Sequence, residues 1–307
     1  MKHIYRFQSA SGALKYNLTN DYMFRVVLQQ NNDSLVLLLS AILHIPREKI
    51  TSAKILNTII PGASIDDKEY HLDILVSLND NTIINLEMQV IDYGNWNDRS
   101  LGYLCRKFDN VSKGSDYSEV KPVYHISFLD FTLFKDHPEF FAKYHLRNDI
   151  DSYLYNDKFN LYVIELNHTN LATEEDKRYK IDTWAKLFKA TTWEEIKMIT
   201  NNNPSLNSTA ESIYVYNADD IIADQCRARE ETILHEKVMN ERLAKLSEEN
   251  NSLTDKNASL TNKNASLTSE NASLTNENAS LTSENVSLTN EIARLKNLLK
   301  ENGIKEK

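Results

Sequence analysis

From Leu246 the chain repeats itself every seven residues: L-S-E-E-N-N-S, L-T-D-K-N-A-S, L-T-N-K-N-A-S, L-T-S-E-N-A-S. Leucine recurs at 246, 253, 260, 267, 274, 281, 288 and 295, and asparagine at 250, 257, 264, 271, 278 and 285. A seven-residue apolar column keeps one stripe on one side of a helix, so residues 246–302 are expected to form a coiled coil. With leucine at heptad position d the asparagines fall at a, between Leu243 at one end and Ile292 and Leu299 at the other. Such an array extends roughly 75 Å over about 50 residues. One buried asparagine at a fixes register and favours a parallel dimer at a cost in stability. A run of them predicts a weak rod whose near-identical units allow one-heptad slips. The competing expectation is a polar linker that merely repeats. N-A-S and N-V-S also match the glycosylation sequon, which reads as a by-product of the repeat because the N-terminus, M-K-H-I-Y-R-F-Q-S-A-S-G, lacks the apolar run of a secretory leader.

The remainder reads as a globular protein. The longest apolar run, Leu35 to Ile45, is too short to span a bilayer and is expected to be a buried helix. Cys105 and Cys226 lie far apart with no metal or redox spacing, which predicts a reducing, cytoplasmic setting and no structural disulfide. The net charge of −9 argues against a general nucleic-acid binder with a basic face. It is compatible with an enzyme that approaches phosphates through bound metal ions, because a divalent cation reverses the local field.

Three regions follow from composition: a domain over residues 1–222, a helical linker over 223–245, and the heptad array over 246–302. Within the first, Thr19 or Asn20 is placed to cap a helix from Asp21, and Asp33 or Ser34 a second helix through His44. Thr51 to Ile60 is expected to be extended. Tyr70–Leu78 and Thr82–Val90 read as strands around Asn79-Asp80-Asn81, a turn of residues that tolerate left-handed backbone. Asn95–Lys113 reads as a helix stopped by Gly114. Pro122–Leu129 and Asn160–Leu166 read as further strands, and Thr173–Ala190 and Trp193–Thr200 as helices with Trp184 and Phe188 in the core. Strands flanked by helices predict a mixed α/β domain.

The hairpin about Asp80 carries the chemistry. Residues whose numbers sum to 160 oppose one another, so Asp73 faces Glu87. Leu72, Ile74, Val76 and Leu78 share an apolar face with Ile84, Leu86, Met88 and Val90. The other face carries Asp73, Leu75, Ser77, Asn85, Glu87 and Gln89. Directly opposed residues have Cβ atoms about 5 Å apart, where like charges are destabilising. Two carboxylates so placed want a shared cation or open water. Mg²⁺ suits the first choice, since it is held by one or two carboxylates with waters and substrate phosphates completing its shell. Gln89 points to the same side and is placed to orient a water or a phosphate oxygen. A solvated strand face is the plain alternative.

Taken in order, N-D-Y-M-F, H-L-D-I-L-V, I-N-L-E-M-Q-V, R-S-L-G-Y, K-G-S-D-Y-S-E-V-K-P-V-Y-H-I-S-F-L-D-F, L-Y-V-I-E-L and D-T-W-A-K-L-F resemble the recombination-promoting nuclease/transposase family of the PD-(D/E)XK nuclease superfamily, over roughly residues 15–200. The resemblance implies a restriction-endonuclease-like fold, a mixed central sheet flanked by helices, and DNA cleavage dependent on Mg²⁺, with Mn²⁺ as a substitute. It makes Asp73 the metal-binding aspartate and Glu87 the acid of the E-x-K element. Gln89 stands at the superfamily's lysine, and Asp21 is an auxiliary acid. Gln89 brings no positive charge, and Asn110 stands where the family more often has glutamine. Arg99, Tyr103, Arg106, Asn110 and Lys113 lie on one helical stripe. Arg99 and Tyr103 are expected beside the site, with Arg106 and Lys113 contacting DNA phosphates. His71 is expected at the surface or in a supporting place, and Glu165 in a salt bridge. The partners implied are DNA and a second copy of the chain, with no membrane. A degenerate nuclease fold acting as a coiled-coil assembly protein is the competing class.

Overall fold

The computed structural model describes residues 5–57, 73–110 and 114–303 in full, and the backbone of 59–60 and 70–71. Leu72 and Lys113, and the side chain of His71, lie outside the described residues. The chain divides into two compact units, Met1–Val238 and Met239–Lys307.

In the first unit α1 (Asp21–Gln30) starts where the Asn20 side chain accepts hydrogen bonds from the Tyr22 and Met23 amides. Helix α2 (Asn32–Leu43) is capped by Asn31, two residues ahead of the expected cap, and ends at His44 in the left-handed region. Strands β1 (Ala53–Ile55), β2 (Ile59–Ile60) and β3 (Tyr70–His71) precede the hairpin β4 (Ile74–Leu78) and β5 (Thr82–Gln89). Helix α3 (Trp96–Phe108), β6 (Val123–Leu129), β7 (Phe141–His145) and β8 (Phe159–Glu165) follow. Helices α4 (Glu174–Arg178), α5 (Ile181–Lys189), α6 (Trp193–Asn202) and α7 (Asn207–Asn217) lead into α8 (Asp220–Glu301).

Six strands form one mixed sheet in the order β1-β4-β5-β6-β8-β7, and β2 pairs separately with β3. The β4–β5 hairpin has the expected register, with Ile74 opposite Leu86 and Leu78 opposite Thr82. Asn79 and Asp80 sit at positive φ, 50° and 56°, as a tight hairpin turn requires. The Asn79 side chain also accepts from the Thr51 and Ser52 amides and donates to the Lys49 carbonyl, tying the turn to the strand beside it. Strands β5, β6 and β8 run parallel.

Both faces of the sheet are covered. On one, Ile74, Val76, Ile84, Leu86, Ile126 and Phe128 meet the apolar sides of α1, α2 and α5. Phe24, Phe128 and Phe188 form an edge-to-face trio with ring centroids 5.0–5.8 Å apart, and Trp184 lies against Phe188. On the other, Leu75 packs on Tyr103, and Leu129 and Val163 pack on Trp96, both aromatics belonging to α3. The solvated-face alternative is thereby overturned: Asn85, Glu87 and Gln89 are 2%, 2% and 8% exposed. Among the described residues no single helix is long and apolar enough to cross a membrane. The apolar pair α1 and α2 bends by 104° and is buried in this core.

Four elements differ from the sequence expectation. Helix α3 ends at Phe108, five residues early. There the Asn110 side chain instead bridges the Lys107 and Lys121 carbonyls and accepts from the Lys121 amide. The helix expected over 173–190 breaks at Lys180, whose φ is 64°. Strand β7 and helix α7 are additions.

In the second unit α8 continues helically through the heptads. Leu246, Leu253, Leu260, Leu267, Leu274, Leu281, Leu288 and Leu295 stay 47–57% exposed. Each threonine at e, from Thr254 to Thr289, donates its hydroxyl to the carbonyl of the asparagine four residues earlier, at 2.7–2.9 Å.

Candidate metal and active centre

Asp73 precedes β4, and its Oδ2 accepts a hydrogen bond from the Met88 amide at 2.9 Å, anchoring it across from β5. Glu87 lies mid-way along the last half of β5, on the face that α3 covers. Burial raises the pKa of both carboxyls. The negative charge of Asp73 raises Glu87 further, and that of Asp21 adds to the effect on Asp73. The crowding expected from register is therefore real, and at Glu87 it occurs away from water.

Arg99 is the cation that answers it. Its Nη2 donates to Glu87 Oε1 at 2.7 Å, its Nη1 to Gln89 Oε1 at 3.3 Å, and its Nε to the Tyr103 hydroxyl at 3.1 Å. The guanidinium lies 5.6 Å from the Trp96 ring centre and 5.3 Å from that of Tyr103. One turn of helix thus brings a positive charge to the acid that lacks a lysine neighbour. Gln89 is engaged at both ends, accepting from Arg99 and donating from Nε2 to the Ile91 carbonyl at 2.9 Å. It braces Arg99 and the loop after β5.

Asp21 opens α1, so its acid sits in a first turn that favours negative charge. It is close enough to act on Asp73 electrostatically, but its Oδ2 accepts from Arg229 Nε of α8 at 2.6 Å. Arg25, also on α1, lowers the pKa of Asp73 by its charge. Arg106 is exposed further along α3. Among the described residues no group of three or more His, Cys, Asp or Glu side chains converges to hold an ion. The site is a pair of acids with a third nearby, all of them oxygen donors.

Three participants were missed by sequence reasoning. His125 on β6 is 1% exposed and shares a face with Glu87, because β6 pairs in parallel with β5 and sets Asn85 beside His125. Burial, and next the charge of Arg99, push its pKa down to about 3, so the ring is neutral. Arg229 and Glu236 belong to α8, and Glu236 accepts from the Tyr93 hydroxyl at 2.5 Å in the loop after β5. The histidine lay within one of the quoted motifs, but only the strand pairing reveals its neighbour. Elsewhere Glu165 accepts from the Leu133 amide at 3.1 Å and faces His168 at 3.4 Å, a structural tie beyond the acid pair.

A mixed sheet covered by helices on both faces, with an aspartate just before one strand crowding a glutamate on the next, is the arrangement of the PD-(D/E)XK class. Residues 18–242 match the family model described as PD-(D/E)XK nuclease family transposase, and the chain belongs to that family, one of nucleases linked to recombination. No curated protein and no solved structure matches it.

Proposed function

We propose that the chain is a divalent-metal-dependent DNA endonuclease serving recombination or transposition, assembled as a parallel dimer through its tail. The observation that carries this reading is the pair Asp73 and Glu87, close enough that the charge of Asp73 raises the pKa of the buried Glu87, while Glu87 Oε2 and Asp21 Oδ1 are buried without a hydrogen-bond partner. Burial without a partner is costly for a carboxylate oxygen, and a cation relieves both the crowding and the missing contacts. The donor set fits Mg²⁺, and Mn²⁺ in its stead, because it offers hard oxygens only and leaves room for waters and substrate phosphate.

Asp73 and Glu87 would hold the ion, with Asp21 as the auxiliary acid. When bound, the ion supplies Lewis acidity at the scissile phosphate and a more acidic water. The chain's own residues do the rest. Arg99 keeps Glu87 oriented and brings positive charge to the place where Gln89 supplies none. Tyr103 and Gln89 hold that guanidinium in position. Arg25 and Arg229 offset the acidic field around Asp73 and Asp21 on the approach of a phosphodiester. Arg106, exposed further along α3, and Lys113 beyond it in sequence are the candidates for backbone phosphates away from the cut. One such site handles one strand, so two copies joined by the tail suit cleavage of both.

The test is conversion of supercoiled plasmid to nicked or linear form in Mg²⁺ or Mn²⁺. Glu87→Ala should abolish it with the fold intact by circular dichroism, and equal nicking by that variant sinks the proposal. The Arg99 ion pair on Glu87 and the glutamine at position 89 favour one second reading: a catalytically degenerate nuclease fold whose working part is the coiled coil. It requires the wild type to leave plasmid uncut.

A further inference from the structure

Behind Glu87, on the side away from Asp73's anchor, the sheet is polar where a buried surface is usually apolar. Asn85 and Glu87 on β5 stand in register with His125 and Ser127 on β6, and all four are 0–2% exposed beneath α3. The His125 ring is enclosed by aromatics, with ring centroids 5.8 Å from Trp96 and 5.6 Å from Tyr103. An imidazole in such a place has to be explained by what its two nitrogens do.

The two nitrogens differ. Nδ1 lies 2.8 Å from Asn85 Nδ2, and an amide NH₂ only donates, so Nδ1 accepts. The proton of the neutral ring is thereby fixed on Nε2. Nε2 lies 4.0 Å from Glu87 Oε2, just beyond hydrogen-bond reach, and neither atom has a hydrogen-bond partner. The other oxygen, Oε1, belongs to Arg99. A donor held by its own partner and aimed at one oxygen of a ligating acid is the arrangement by which surrounding residues orient metal ligands.

We infer that His125, set by Asn85, is a positioning residue that orients the Glu87 carboxylate for a divalent cation. This rests on the metal-binding reading of Glu87 above. The pair acts in sequence: the Asn85 amide selects the imidazole tautomer, and the imidazole N–H, on closing the remaining gap to Oε2 as the carboxylate turns toward an ion, restricts its rotation about its last bond. Arg99 alone leaves that rotation open, since it grips only Oε1. The arrangement also explains why β6 carries a histidine at the one position in register with Asn85, between two aromatic rings that would accept any apolar side chain.

The experiment is Mn²⁺ binding to the full chain, followed by the loss of the free Mn²⁺ signal in electron paramagnetic resonance. His125→Phe fills the same aromatic slot without a donor and should weaken Mn²⁺ affinity about 10–100-fold. His125→Gln, whose amide N–H₂ reaches toward the same oxygen, should recover most of that loss. Asn85→Leu, which frees the tautomer, should fall between them. Affinity for His125→Phe equal to wild type overturns the inference, and so does a His125→Gln variant as weak as His125→Phe, because packing would then explain the effect. Glu87→Ala separates the two claims: if it binds Mn²⁺ like wild type, the metal reading fails and takes this inference with it. If it loses binding while His125→Phe does not, the inference alone fails. Should His125→Phe fail to fold, Asn85→Leu with His125→Phe removes both polar partners together and serves as the donor-free variant.

Discussion

Arg99→Met should convert the crowding at buried Glu87 from a tolerated strain into a measurable defect. Methionine keeps an unbranched stem against Trp96 and Tyr103 but removes the charge and the donors to Glu87, Gln89 and Tyr103. Removing one partner of a buried ion pair typically costs about 3–5 kcal/mol. Two features bring the loss below that range here. The Arg99 side chain is 30% exposed, so water already screens part of the pair. Glu87 also escapes its lost partner by taking up a proton, to which burial and the charge of Asp73 already predispose it. A loss of about 2 kcal/mol above pH 8, smaller near neutral pH where Glu87 keeps its proton, is the resulting expectation, which for a domain of this size lowers Tm by roughly 4–8 °C.

The pH dependence gives the sign. A carboxyl whose folded pKa is raised stabilises the protein fully below its unfolded value, and that stability is lost as pH climbs through the folded value, about 8 for Glu87. Without Arg99 that value rises further. The gap between Arg99→Met and wild type should therefore stay narrow below pH 8, where Glu87 keeps its proton in both, and widen as pH climbs above 8 in metal-free thermal melts. Adding Glu87→Gln to Arg99→Met should restore most of the stability, since no uncompensated charge remains. A gap that ignores pH, or a double variant as unstable as the single one, would refute the reasoning.

Four further predictions follow from the same structure. Gln89→Ala unpairs the Ile91 carbonyl and loosens Arg99, costing about 1–3 kcal/mol in denaturant melts and lowering the cleavage rate more than DNA affinity. Mg²⁺ or Mn²⁺ at a hundredfold excess over Kd should stabilise the protein by about 2.7 kcal/mol at pH 8, reversibly with EDTA, and by much less at pH 5, where protons compete for the same oxygens. Deleting residues from 246 onward should lower the mass seen in light scattering from that of an oligomer to that of a single chain. Replacing Asn264 and Asn271 with leucine should raise the tail's melting temperature while loosening its register.

The acid pair was legible because everything that sets it is local. A turn of Asn79 and Asp80 fixes the register, and alternation then decides which residues share a face. The same alternation could not reveal whether that face was wet. Arg99 was legible as a stripe on α3, but its grip on Glu87 depends on how α3 lies over the sheet. His125 and Arg229 reach the site from other elements: one through parallel pairing of β5 with β6, the other from a helix that starts at Asp220. No spacing in the sequence connects them to Glu87. The boundary errors have physical causes too. Asn31, Asp33 and Ser34 all suit a helix cap, so which one closes the turn is decided by packing, where Asn31 also donates to Ser208 and Ser212 of α7. Lys180 takes a left-handed conformation that a sequence without glycine or proline there does not announce.

The central claim is that Asp73 and Glu87 together form an ion-binding centre. Crystals of the protein soaked in Mn²⁺ and measured for anomalous scattering test it most directly. The account predicts one strong peak between the two carboxylates, about 2.1 Å from an oxygen of each. Anomalous density absent from that position, with Arg99 still paired to Glu87, would contradict it.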